Sequence, residues 1–215
     1  MRSALYRYIS TISIAVLVAS LFGGCAPGRP ILIDFGYQLP KSEMPLTSST
    51  TVAVSPFKDM RGETGSVVGK RLNELNGQTR ALVVQGTVSE KVNAALRTAL
   101  KTRTSAVKDA PAWDLTESGI SASGADLQIG GEIKSLWVES TSQLASTTST
   151  ATVQLRVVVA DAVQKKIIRI LNVNSKIERE NVANTDAFIE RALSEAITGA
   201  IDQVFVDEEL KNRFK

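Results

Sequence analysis

Residues 153–178 read VQLRVVVADAVQKKIIRILNVNSKIE. Val153, Leu155, Val157 and Val159 alternate with Gln154 and Arg156, the period of a strand with one buried face and one largely polar face. Residues 161–165 read as a turn, and 166–178 as a second strand of matching length, which together predict a long antiparallel hairpin. In that second strand Ile167, Ile168, Ile170, Leu171 and Val173 mix faces, which calls for a bulge or for burial on both sides.

A hairpin with one apolar face needs a covering layer, and the sequence offers two amphipathic helices. C-terminal to the hairpin, Asn184 or Thr185 can cap a helix with Asp186 in its first turn. Its stripe is Phe188, Ile189, Ala192, Leu193, Ala196, Ile197, Ala200, Ile201, Val204 and Phe205. Asp207 can cap a short final turn, followed by a basic tail expected to fray. N-terminal to the hairpin, Thr87 and Glu90 form a capping box opening a helix over 87–101, with Val88, Val92, Ala95, Leu96, Ala99 and Leu100 in one stripe. Residues 51–57 (TVAVSPF) read as a first core strand. Residues 126–139 alternate again through Leu127, Ile129, Ile133 and Trp137, and Gly130-Gly131 suggests a bulge or a close backbone approach. The Ser/Thr-rich stretch 140–152 is either a loop running into a strand or a recognition loop. The predicted fold is α+β: a two-layer domain over 51–215 with a mixed four-stranded sheet, order β-α-β-β-β-α, and both helices on one face. The helical crossover makes the first strand pair parallel.

Residues 25–50 read as a proline-rich tether, with Pro27, Pro30, Pro40 and Pro45. Within it Ile31, Ile33, Phe35, Tyr37 and Leu39 alternate over 31–39, a short strand that either docks on the domain's own sheet or pairs with a partner. Residues 1–24 have the build of a secretory signal: Arg2 and Arg7, then an uncharged apolar run shorter than a membrane span, then Gly23-Gly24. Cys25 is the only cysteine. Leu21-Phe22-Gly23-Gly24-Cys25 resembles a bacterial lipobox, with Phe22 where the pattern prefers Leu. The resemblance implies cleavage before Cys25 and acylation of its thiol. Ala26 rather than Asp after it implies an outer-membrane address, facing the periplasm. Two or more acyl chains give stable anchoring.

Without residues 1–24 the chain carries 23 basic and 22 acidic residues. No basic cluster is interleaved with aromatics, so nucleic acid is not an expected partner. The chain has no histidine, the commonest general base near neutral pH. With the single thiol committed to lipid, the expectation is a non-catalytic binding protein of the envelope, with a carrier of a small amphiphile as the alternative. No cofactor or metal is expected, and the oligomeric state is not legible. Gly69-Lys70 looks like the end of a phosphate loop, but position 64 is Thr and Lys70 is followed by Arg71.

Residues 58–86 read as a long glycine-containing loop, of a length usually functional in a compact domain. Its candidate partner-binding residues are Asp59, Arg61, Lys70 and Arg71, the first two being either a loop salt bridge or a polar anchor. The sequence resembles the YajG-like family of bacterial lipoproteins in several places. These are the lipobox, the short tether strand, Asp59-Met60-Arg61 closing the first strand, Val68-Gly69, the capped helix, the hairpin and the final helix. That family implies an outer-membrane location and no settled activity.

Overall fold

The computed structural model describes residues 28–39, 48–63, 65–121, 124–182 and 185–214. The leader, Cys25, Pro40 and Pro45 lie outside the described residues, as does Asn184. The strands are β1 (Ile31–Leu32), β2 (Val52–Val54), β3 (Lys58–Asp59), β4 (Val67–Asn73), β5 (Gln78–Val83), β6 (Val107–Asp109), β7 (Leu127–Ser142), β8 (Thr147–Asp161) and β9 (Lys166–Asn181). The helices are α1 (Val88–Lys101), α2 (Asp186–Val206) and α3 (Glu208–Arg213).

Strand β7 is the spine. One of its edges is paired along its whole length with β8, which pairs in turn with β9, all antiparallel. The other edge carries β2, β3 and β4 in series, each parallel to it. Outside β2 lies β6, and outside β4 lie β5 and then β1. The architecture is α+β, but the sheet has nine strands rather than four. Most of the miss lies in residues 58–86, which form β3 and the β4–β5 hairpin rather than a loop; β6 and the docked β1 supply the other two strands. Lys70, Arg71 and Arg80 interrupt the apolar alternation there, because only Val68 and Leu82 of this hairpin's large side chains are fully buried. The Asn76-Gly77 turn, with Gly77 at φ 66°, is the hairpin signal in that stretch.

The helices form where their caps and stripes place them. Thr87 accepts from the Glu90 amide while the Glu90 carboxylate accepts from the Thr87 amide. Thr185 accepts from the Phe188 amide. Apart from the half-buried Phe188, both stripes are buried in one core with Val54, Ile129, Ile133, Val153, Leu155 and Val157. The C-terminal tail is docked rather than frayed: Phe214 is buried edge-on against Phe205, centroids 5.9 Å apart, and Arg213 pairs with Asp161.

The second face of the sheet is not simply polar. At the end where β7 starts and β8 finishes, Val158 and Ala160 are buried under Trp113 and Ile120 from the segment between β6 and β7. Gln128 is buried there too, donating to Ser55 and accepting from the Ser121 amide. The two glycines of β7 make this double covering possible: a Cβ at Gly130 would press on the Trp113 ring, and one at Gly131 would meet the Arg156 carbonyl and Phe57. The irregularity expected in β9 is a bulge at Ile168.

The segment 31–39 packs on the domain, though mostly not on the sheet. Only Ile31 and Leu32 pair with β5; Leu39 is exposed. Beyond them Ile33, Phe35 and Tyr37 point into the core, and the intervening amides turn to α2. Asp34, Gly36 and Gln38 donate to Glu190, Ser194 and Thr198 at 2.9, 3.3 and 2.9 Å. An extended chain advances about 6.6 Å per two residues and a helix about 6.0 Å per four, so the two ladders stay in step for three bonds. Tyr37 adds a 2.7 Å bond to Asp202, and Lys91 of α1 pairs with Asp34.

Candidate functional site

The four charged residues singled out in the sequence occupy three different environments. Asp59 and Arg61 sit at a break in the sheet, where the chain leaves β7 after β3 and returns as β4. All five guanidinium donors of Arg61 are used inside the molecule: two on Asp59, the others on the carbonyls of Gly65, Val67 and Leu136. Its side chain is 3% exposed. Arg61 therefore substitutes for the missing strand along β7, satisfying carbonyls that would otherwise be stranded. Burial pushes the Asp59 carboxyl up, but hydrogen bonds from the Arg61 side chain and amide, with its charge, hold it below the usual carboxylate range.

Lys70 and Arg71 point to opposite faces of β4, as neighbours on a strand must. Arg71 lies on the helix side, 2.8 Å from Asp186 at the start of α2. Lys70 lies on the other face, 3.1 Å from Glu139 of β7, with both side chains about two-fifths exposed.

The Lys70 face is the distinctive surface. At the inner end of the ladder it is sealed by Trp113; past the break at Arg61 no element among the described residues shares a core cluster with it. Cross-strand register aligns its residues in rows: Trp137 with Thr152 and Lys176, Lys70 with Glu139, Thr150 and Glu178, and Leu72 with Thr141, Thr148 and Glu180. These rows make a platform of threonines with one indole, one leucine and the Lys70–Glu139 pair, bordered on β9 by Lys176, Glu178 and Glu180. On the reverse side Ser140 and Ser149 are buried and hydrogen-bonded at 3.0 Å. The Thr-rich stretch is thus a short turn over 143–146 running into a strand from Thr147, as one of its two readings had it, but its platform residues were missed in the sequence. The strict alternation of Thr148, Thr150 and Thr152 with Ser149, Ala151 and Val153 is the signal that marks them.

A shallow groove of about 390 Å³ runs between the docked segment and α2, lined by Asp34, Phe35, Gly36, Gln38, Ala187, Glu190, Arg191 and Ser194. Its walls are largely polar, unlike the deep apolar pocket a bound amphiphile needs. Among the described residues no cluster of three His, Cys, Asp or Glu is placed to hold a metal, and no helix is long and apolar enough to cross a membrane.

No family model matches the chain, and no curated protein matches it. Solved structures do. Protein XCC0632 from Xanthomonas campestris, of family-model DUF330, is 10% identical with a TM-score of 0.51, over 81% of this chain and 92% of that one. The fold is therefore shared with a bacterial protein at negligible sequence identity. A neuraminyllactose-binding hemagglutinin homolog from Helicobacter pylori is 13% identical with a TM-score of 0.46, covering 85% of this chain and 96% of its own. Lipoprotein GNA1162 from Neisseria meningitidis is 11% identical with a TM-score of 0.34, covering 74% and 99%. Both scores lie below 0.5, where likeness no longer defines a common fold.

Proposed function

We propose that the chain is an envelope lipoprotein of the YajG-like kind, anchored to the outer membrane through acylated Cys25 and facing the periplasm, which works by binding a protein partner rather than by catalysis. The observation that carries the binding site is the uncovered half of the sheet. Strands β7 and β8 are covered on both faces at one end and open on one face at the other, where Trp137, Leu72 of β4 and the Lys70–Glu139 pair stand among threonines. An indole and a leucine among threonines, with Lys176, Glu178 and Glu180 along the β9 edge, match the aromatic centre and polar rim of a non-obligate protein interface. The resemblance in Asp59-x-Arg61 and Val68-Gly69 falls on the residues that build this half: Arg61 closes the break, and a Cβ at Gly69 would collide with the Val138 carbonyl.

The test places a photo-crosslinking amino acid at Thr141 or Thr150 in the full chain in cells, with Lys101 and Lys165 as control sites. A discrete adduct from the two platform sites, lost in Lys70→Ala at unchanged thermal midpoint, is the expected result. Equal adducts from the control sites overturn the platform as the binding surface.

A further inference from the structure

One hydrogen-bonded row closes the sheet at its open end: Gln78, Asn73, Ser142, Thr147 and Asn181, on β5, β4, β7, β8 and β9. The Glu74 amide donates to the Ser142 carbonyl, so the β4–β5 and β7–β8 turns lie side by side. Just beyond this row each of three connections presents one large apolar side chain to solvent. Leu75 is 64% exposed, Leu144 87% and Val182 84%. The row itself is uncharged, with Glu74 and Glu180 the acids flanking it. Five adjacent strands spread these tips over a distance on the order of 20 Å.

The described chain enters at the same end. Strand β1 runs parallel to β5, so the residues before Ile31 lead back toward the start of β5. The Arg29 carbonyl accepts from Arg80, and Gly28 lies against the Arg80 side chain, one pair short of the closing row. Cys25 is three residues before Gly28, a reach of about 10 Å at most.

We infer that Leu75, Leu144 and Val182 form a bilayer-docking edge, by which the domain stands end-on against the phospholipid surface that holds its lipid. This rests on the anchoring of Cys25 proposed above. The described chain begins at the end that carries the tips, and three residues of reach from Gly28 keep an acylated Cys25 near that end and hold it toward the bilayer. Neutral amide and hydroxyl groups around the tips lose less on entering the headgroup layer than charges would. Three apolar contacts beside an acyl anchor set an orientation as well as an attachment.

The experiment uses the full chain, processed and purified with its lipid, in vesicles of phosphatidylethanolamine and phosphatidylglycerol. Leu75→Cys, Leu144→Cys, Val182→Cys and, as control, Val163→Cys at the opposite turn (74% exposed) each carry an environment-sensitive fluorophore. Blue-shifted emission and quenching by spin-labelled lipid at the three tips, with neither at Val163, are the expected result. Mass spectrometry of the same preparation scores the anchor separately. Acylated protein whose tips are quenched no more than Val163 overturns the docking edge alone; protein without acyl chains on Cys25 overturns the anchor and the docking that rests on it.

Discussion

The chain has two tryptophans, and they mark the two halves of one strand ladder. Trp113 lies over Gly130, 8% exposed, with its indole N–H donating to the Thr116 carbonyl at 2.8 Å. Trp137 lies further along β7 on the same face, half-buried, and among the described residues it belongs to no core cluster. The sequence texture changes between them. Under Trp113, β8 reads Val157-Val158-Val159-Ala160, all buried, the continuous apolar run of a strand covered on both faces. Beside Trp137 it reads Thr148 to Val153, with a threonine at every second position. One strand therefore carries two burial regimes, and the composition of its outward-facing residues tells which half is closed.

The sharpest way to break this contrast is truncation of the two indoles. Trp113→Ala is expected to cost roughly 3–5 kcal/mol, as removal of a buried aromatic does, read as a shift in the urea midpoint. Acrylamide should quench Trp137 well before Trp113 in the native protein. A small cost at Trp113, or equal quenching, would mean that the second face is not a core at either end.

A smaller effect is expected at the seam. Arg61→Ala strands three carbonyls, and each buried acceptor left unpaired costs on the order of 1–3 kcal/mol. With partial access to water the loss should be roughly 2–3 kcal/mol. The same contact has a pH signature. Asp59 is held below its ordinary value in the fold, so its contribution is fully present above about pH 3.9 and is lost as pH falls through the lower folded value. The wild-type chain should therefore lose stability below pH 4 more steeply than Asp59→Asn. Parallel curves for the two would show that the Arg61 contact does not hold the seam.

The smallest effect belongs to the open half. Thr150→Ala should change stability by no more than about 0.5 kcal/mol, as exposed substitutions do. A loss comparable to that at Trp113 would show that the platform is structural after all.

The long hairpin and both capped helices were legible because each announces itself within a short window: β8 by alternation, α1 by Thr87 and Glu90, α2 by an unbroken stripe. The β4–β5 hairpin was not, because Lys70, Arg71 and Arg80 interrupt its two short strands and only Val68 and Leu82 are fully buried, which erases the apolar period. The frayed tail was misjudged for a related reason: Phe214 packs on Phe205, a contact with a residue of another helix that no local pattern encodes. The role of Arg61 was hidden more deeply. A gap in a strand row exists only once β2, β3 and β4 are laid along β7, and nothing in 59–61 alone says that the guanidinium fills it.

The commensurate ladder between residues 34–38 and α2 has a mechanical consequence. Tension on the chain ahead of residue 34 runs along the axis of the extended segment, and its bonds to Glu190, Ser194, Thr198 and Asp202 stand across that axis. They are loaded together, in shear, instead of being peeled one at a time. The tension is delivered to the C-terminal helix, whose stripe is buried across β7, β8 and β9. Residues 34–38 and α2 are thereby joined into one load-bearing unit.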